Sequence, residues 1–147
     1  MIKKIFVFAI GVILMASVGV AAQSPVRVHK SELSRTAGAA GDLKLTITKF
    51  SNGFFGSEPF IEVEVENVSA TATAFDPQRL SFVLSDGQQV DIIAIPFTYG
   101  SNSAAVTTRE LLLISGARSI QKYWTNGKLQ LPARMYYQGN LVAELID

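Results

Sequence analysis

Three glutamates at alternate positions, Glu62, Glu64 and Glu66, are the residues whose type and spacing most directly suggest chemistry. On an extended strand such side chains share one face about 7 Å apart, and a glycosidase acid and base need roughly 5 to 9 Å between their carboxyl groups. Any alternating strand gives this spacing, however, and acid catalysis also needs a carboxyl in a dry pocket. We interpret the glutamates as a solvated face matched across strands by Lys44 or Thr46, which leaves a carboxylate-dependent hydrolase as a distant hypothesis.

The sequence offers little else for catalysis. His29 is the only histidine and lies in a stretch without hydrophobic periodicity, whereas a catalytic triad or a zinc site needs its histidine held by a rigid scaffold. The chain has no cysteine, which removes disulfides, zinc thiolates and thiol nucleophiles. We therefore predict that the protein is not an enzyme and has no catalytic, metal or cofactor-binding residues.

Calcium is the one ion that the residue types leave open. Asp76, Asp86 and Asp91 flank predicted turns, where oxygen ligands for calcium often gather. No EF-hand spacing accompanies them, and aspartate at a turn is explained by hydrogen bonds to its own backbone. The triplet 67–69 matches the glycosylation sequon, a weak pattern that carries no meaning in a bacterial export route.

The aromatic residues fall into two groups. Phe54, Phe55 and Phe60 cluster at one loop, and the others lie on the last predicted strands, namely Tyr123, Trp124, Tyr136 and Tyr137. Aromatic side chains exposed together would form a stacking platform for sugar rings or a hot spot for a protein partner. We expect Trp124 and Tyr137 to fill the core, whereas the adjacent Phe54 and Phe55 are hard to bury together. The predicted interaction surface is therefore Phe54, Phe55 and Phe60.

The elements that must position these residues are β-strands. From Asp42 onward apolar and polar residues alternate, as at 43–47 and 61–66, which is typical of antiparallel strands with one wet face. Turn signals separate the strands that follow, predicted at 80–84, 90–95, 110–114, 120–124, 133–137 and 141–146. About seven or eight short strands in a range of roughly 100 residues predict an all-β fold, an immunoglobulin-like antiparallel β-sandwich over 42–147.

Four stretches carry a resemblance to a known group of domains. They are Glu62 to Ser69, Leu80 to Gly87, Ile114 to Ala117 and Leu131 to Tyr137. Their strand-ending turns and the aromatic residues near the end resemble the small immunoglobulin-like domains of exported bacterial proteins. The resemblance implies the sandwich fold and a role in extracytoplasmic binding or spacing, and it brings no catalytic residues with it.

The first 22 residues have the order of a secretory signal. Lys3 and Lys4 precede an apolar run, and small residues follow up to Ala22, after which we predict cleavage. An uncleaved anchor is the alternative, because the run approaches the roughly 20 residues that span a bilayer. Residues 23–41 are polar, small and aperiodic and predict a flexible leader, with a short edge strand at 26–28 as the alternative.

Charge and compartment together limit the partners. Without Lys3 and Lys4 the chain carries 11 basic and 12 acidic residues, a balance that does not indicate a nucleic-acid surface. We expect a periplasmic or secreted module of the bacterial cell envelope that binds another envelope or extracellular protein. A soluble carbohydrate-binding module is the second hypothesis. After cleavage no membrane span is expected.

The export prediction is tested at the N-terminus of the mature protein. Mass spectrometry of the protein recovered from outside the cytoplasm should give a first residue of Gln23, because the peptidase cuts after small side chains. Recovery of a chain that still carries Met1 in the membrane fraction would contradict cleavage and favour the anchor.

Overall fold

The computed structural model describes residues 25–53, 58–93, 96–99, 102–105 and 110–147, with 96–99 and 102–105 described as backbone. It contains short strands and two 3₁₀ helices, Lys30–Arg35 and Pro77–Arg79. The strands are β1 (Val26–His29), β2 (Gly38–Ala40), β3 (Leu43–Ser51), β4 (Phe60–Asn67), β5 (Thr73–Phe75), β6 (Leu80–Leu84), β7 (Gln89–Ile93), β8 (Pro96–Tyr99), β9 (Asn102–Ala105), β10 (Leu111–Leu113), β11 (Arg118–Thr125), β12 (Ala133–Tyr137) and β13 (Asn140–Ile146).

Nine strands form one sheet in the order β1-β13-β12-β6-β7-β11-β4-β3-β2. All neighbours are antiparallel except β1, which runs parallel to β13. The sheet curls until β2, at one end, packs against β13 near the other end. A Cβ built on Gly38 would lie 2.5 Å from a side-chain carbon of Val142, so the absence of a side chain at Gly38 permits this close approach.

Alternation along the strands produces the core. In β4 each of Ile61, Val63 and Val65 is fully buried while the glutamates between them are partly exposed. The inward residues of the other strands join them in a single apolar cluster, because strand side chains point alternately to the two faces. Every strand predicted between 43 and 146 has a counterpart in the structure, and the all-β class is confirmed.

Two expectations differ from the structure. Residues 25–41 are not a flexible leader, because β1 pairs with β13, β2 pairs with β3, and Leu33 of the intervening 3₁₀ helix is buried. The alternative of an edge strand at 26–28 is therefore the one the structure supports. The count of seven or eight strands over 42–147 is too low, since the described part of this range has eleven, seven in the main sheet and four in the pairs β5–β10 and β8–β9.

Asn67, at the end of β4, is a fully buried polar residue whose amide joins three segments. Its Nδ2 donates to the carbonyl oxygens of Thr71 at 2.7 Å and Leu113 at 2.9 Å. Its Oδ1 accepts from the backbone N–H and the hydroxyl of Ser69. The side chain thereby fixes the turn after β4 and holds it to β10. A buried Asn67 is also no acceptor for a glycan, in agreement with the interpretation of the sequon as meaningless.

We predict that Asn67→Asp lowers the free energy of unfolding by about 3 to 5 kcal/mol at neutral pH, because a carboxylate oxygen would face two carbonyl oxygens in a buried site. The loss should shrink as the pH falls and the carboxyl regains a proton to donate. Urea denaturation measures both effects. Asn140→Asp, at the exposed first position of β13, is the control and should change stability little; equal stability of the two variants would contradict the role given to Asn67.

The core also contains two tyrosines that should make stability depend on alkaline pH. Burial, with a smaller contribution from Tyr137, raises the pKa of Tyr123 from 10.0 to about 12. Burial likewise raises the pKa of Tyr137, although the backbone N–H of Asp76 donates to its hydroxyl and opposes the shift. Both rings pack on Phe75.

Because the folded pKa of Tyr123 lies above the unfolded value, its contribution is intact below about pH 10. It is lost as the pH rises toward about 12, since the unfolded chain releases the proton first. We expect stability to fall by roughly 2 to 3 kcal/mol through Tyr123 over this range. Denaturation of the parent and Tyr123→Phe at several alkaline pH values measures it, and parallel losses in the two proteins would show that Tyr123 is not responsible.

Candidate functional site

The outer face of β3, β4 and β11 carries the glutamates singled out in the sequence. They form a column on β4, and basic residues lie opposite Glu62 and Glu66 on both neighbouring strands, with Lys44 and Lys49 on β3 and Arg118 and Lys122 on β11. Arg118 Nη2 lies 3.3 Å from Glu66 Oε1. Lys44 and Thr46, which we expected across from the glutamates, are the register partners of Glu66 and Glu64. This face is a lattice of opposite charges.

Glu62 has the most elaborate surroundings of the three glutamates. It lies between Lys49 and Lys122 in the strand register, and the Thr48 hydroxyl donates to its Oε1 at 2.7 Å. Thr48 is the extra residue of a β-bulge between Ile47 and Lys49. All three glutamates are partly exposed on an open sheet face, so the dry pocket that acid catalysis requires is not provided around any of them.

Two aromatic rings meet at one end of this face, where β4 begins and β11 ends. Phe60 and Trp124 are register partners with ring centroids 6.1 Å apart and planes at 83°, an edge-to-face pair. The Lys122 Nζ lies 3.9 Å from the Phe60 centroid and 5.2 Å from that of Trp124, and Lys49 Nζ lies 5.8 Å from Phe60. We call Phe60, Trp124, Lys49 and Lys122 the aromatic–lysine cluster.

The place of Trp124 corrects the expectation that it fills the core. Tyr123 and Thr125 beside it are buried, and Trp124 is half-buried on the outer face with Phe60. Tyr137 lies in the core, as predicted. Successive side chains of a strand point to opposite faces of the sheet, so Trp124 points outward because Tyr123 points inward.

Of the predicted surface, Phe60 is described and Phe54 and Phe55 lie outside the described residues. The chain leading toward them is firmly held. Asn52 Nδ2 donates to the Leu129 carbonyl at 3.0 Å, and its Oδ1 accepts from the Leu129 N–H at 2.8 Å. Gly53 then takes a positive φ of 82°.

A cleft of about 510 Å³ lies beside the cluster, between the first 3₁₀ helix and the second half of β3. The helix contributes Lys30, Ser31, Leu33 and Ser34, and the strand with its following turn contributes residues 48–53. Sequence reasoning missed this cleft because residues 30–35 were expected to be part of a flexible leader. The alternation of apolar and polar residues in β3 does not reveal the bulge, and the sequence of β3 contains no other indication of it.

A second cleft, of about 370 Å³, crosses the outer face of β1, β13, β12 and β6. Arg27 and Arg134 flank Glu144 at 3.4 and 3.9 Å. The carboxylate already occupies the space between the two guanidinium groups, so this arrangement is satisfied within the chain itself.

The other residues that the sequence suggested for metal binding or catalysis, three aspartates and His29, are not gathered into one site. Asp76 Oδ1 caps the second 3₁₀ helix by accepting from Gln78 N, and Asp86 accepts from Gln88 N two residues on. Asp91 accepts from the Gln89 side chain. His29 is exposed at the end of β1. In the described part of the chain no three histidine or acidic side chains come together as a metal site would require.

Comparison with known proteins adds a likeness of fold. No protein-family model matches the chain, and no curated protein matches its sequence. The solved structure of the YjhA protein from Bacillus subtilis is similar, with a TM-score of 0.50 and 14% sequence identity over 76% of this chain and 79% of that one. Neither 3₁₀ helix in the described ranges has the length and apolar character needed to cross a bilayer. At this identity YjhA and the present chain share a fold, and the likeness extends no further.

Proposed function

We propose that this chain is an exported, non-enzymatic binding or assembly module of the bacterial cell envelope. Its partner is another envelope or extracellular protein. The contact is made through the segment that carries Phe54 and Phe55, together with Phe60 and the edge of β3 at residues 48–51. The observation that carries the proposal is the aromatic–lysine cluster, because it places two partly exposed aromatic rings at the end of the sheet where Ser51 pairs with Phe60, the residues between which Phe54 and Phe55 lie in the sequence.

The strand order supports an immunoglobulin-like arrangement as the finer description of the fold. One run of the sheet, β13-β12-β6-β7, resembles the G-F-C-C′ sheet of variable-type domains, and the other, β11-β4-β3, resembles E-B-A. The two runs join through only two register pairs between β7 and β11. On this view the sheet is a sandwich whose two layers are joined at one corner.

The edge of β3 supports a protein as the partner. β2 pairs only with residues 43–45, so from Thr46 onward β3 borders the first 3₁₀ helix instead of another strand. Residues 48–51 of this edge line an open cleft, in which an extended segment of a second protein can lie. Aromatic residues are enriched among those that dominate protein–protein binding energies, and Phe60 lies at the same end of the sheet.

A carbohydrate-binding module remains the second candidate, favoured by the hydroxyl groups of Ser31, Ser34 and Ser51 along the cleft. The rings argue against it. A platform for sugars needs aromatic faces that lie side by side, whereas the planes of Phe60 and Trp124 are nearly perpendicular and Lys122 covers the face of Phe60. The hydrolase hypothesis finds no supporting geometry around Glu62, Glu64 or Glu66.

The proposal is tested by affinity capture from envelope extract with the tagged full-length chain. The parent should recover a partner protein that the Phe54→Ser, Phe55→Ser variant loses, because the variant removes two large apolar side chains from the proposed contact. Ile120→Ser is the matched control, since Ile120 is 56% exposed on the same outer face but away from the loop. Equal recovery of every protein by all three chains would contradict the contact.

A further inference from the structure

We infer that the cleft between Lys30–Arg35 and the second half of β3 binds an acidic, extended segment of the partner protein through Lys30 and Lys49. This inference rests on the proposed function and names the chemistry of the segment that the module would bind.

The cleft exists because the neighbours of β3 change along its length. β2 covers residues 43–45, and beyond them the first 3₁₀ helix lies across the edge. The bulge at Thr48 shifts the register with β4 between Ile47 and Lys49. A bulge bends its strand and redirects the side chains that follow, and here the redirected stretch, 48–51, forms one wall of the cleft.

Both walls are held in place before any ligand arrives. Leu33 anchors the 3₁₀ helix with 8% of its surface exposed, and Lys30 Nζ lies 3.8 Å from Asp147 Oδ1. On the other side, the reciprocal hydrogen bonds between Asn52 and Leu129 fix the end of β3. A site that is already ordered loses less conformational entropy when a segment binds.

The charge of the lining selects the ligand. The ten residues that line the cleft include Lys30 and Lys49 on opposite walls, and none of these ten is acidic. Both ammonium groups are on exposed side chains, and the Asp147 carboxylate 3.8 Å from Lys30 is itself exposed, so a segment with several carboxylates competes with it for Lys30. An acidic segment would therefore be attracted and a basic one repelled.

The shape of the cleft favours a peptide over a sugar. Residues 48–51 extend over about 13 Å at the rise of a strand, which fits a segment of about four residues with alternate side chains directed to the lysines. The ring in the lining, that of Phe50, packs against the apolar core, so it does not present the free face on which a sugar would stack.

Binding is measured by the fluorescence of Trp124, because this residue is the single tryptophan of the chain and is linked to the cleft by contacts through Phe60 and Lys49. The probe is the acetylated and amidated peptide Glu-Val-Glu-Val added to the full-length chain. We expect saturable binding, and roughly tenfold weaker binding for the Lys30→Gln, Lys49→Gln variant. The Lys44→Gln, Lys128→Gln variant changes the charge equally outside the cleft and should bind as the parent does.

Three further probes separate the alternatives. The peptide Lys-Val-Lys-Val should not bind, and the uncharged peptide Gln-Val-Gln-Val should bind at least tenfold more weakly than the acidic one, because the two lysines attract carboxylates and repel ammonium groups. Tighter binding of an oligogalacturonide than of the peptide would overturn the inference in favour of an acidic sugar. Equal weakening by the two lysine variants would also overturn it, as would failure of the acidic peptide to bind a parent chain that still captures its partner.

Discussion

The buried amide of Asn67 is the interaction on which the arrangement of this molecule most depends. It satisfies two carbonyl oxygens and accepts two hydrogen bonds in a site from which water is excluded. Its backbone adds two more hydrogen bonds, to Ala117 and Gly116. The end of β4, the start of β11 and the small β5–β10 pair thus share one polar anchor. An apolar residue there would leave the carbonyl oxygens of Thr71 and Leu113 without this donor, a loss that burial of a methyl group cannot offset.

With that end fixed, the phase of each strand decides what reaches the surface. The alternation in β4 sets the glutamates outward, and pairing with β3 and β11 then places lysines and arginine beside them. The same phase brings Phe60 and Trp124 together at the opposite end of the face. The charged lattice and the aromatic–lysine cluster are consequently two parts of one sheet face.

The sequence was informative where the alternation is long and uninterrupted. The strands around Ile61 to Val65 and Leu80 to Leu84 could be predicted because only one register buries their aliphatic residues. β2 could not be predicted, since Gly38-Ala39-Ala40 has no large side chain whose alternation would indicate a buried face. Gly38 is buried by contact with Val142, which is distant in the sequence. We expected Trp124 in the core because of its residue type, but the inward position of Tyr123 places Trp124 on the outer face. The cleft depends on a bulge and on an ordered N-terminal segment, neither of which has a local sequence signal.

The parallel pairing of β1 with β13 has a consequence for the order of events in folding. The strand closest to the start of the described chain finds its partner only in the last strand, with Val26 opposite Ala143 and His29 opposite Ile146. This edge of the sheet therefore cannot form until residues 143–146 have been synthesised. Contacts this distant in sequence slow the search for the native state, so the docking of β1 on β13 is a late step that leaves Val26 and Val28 uncovered while the antiparallel strands assemble.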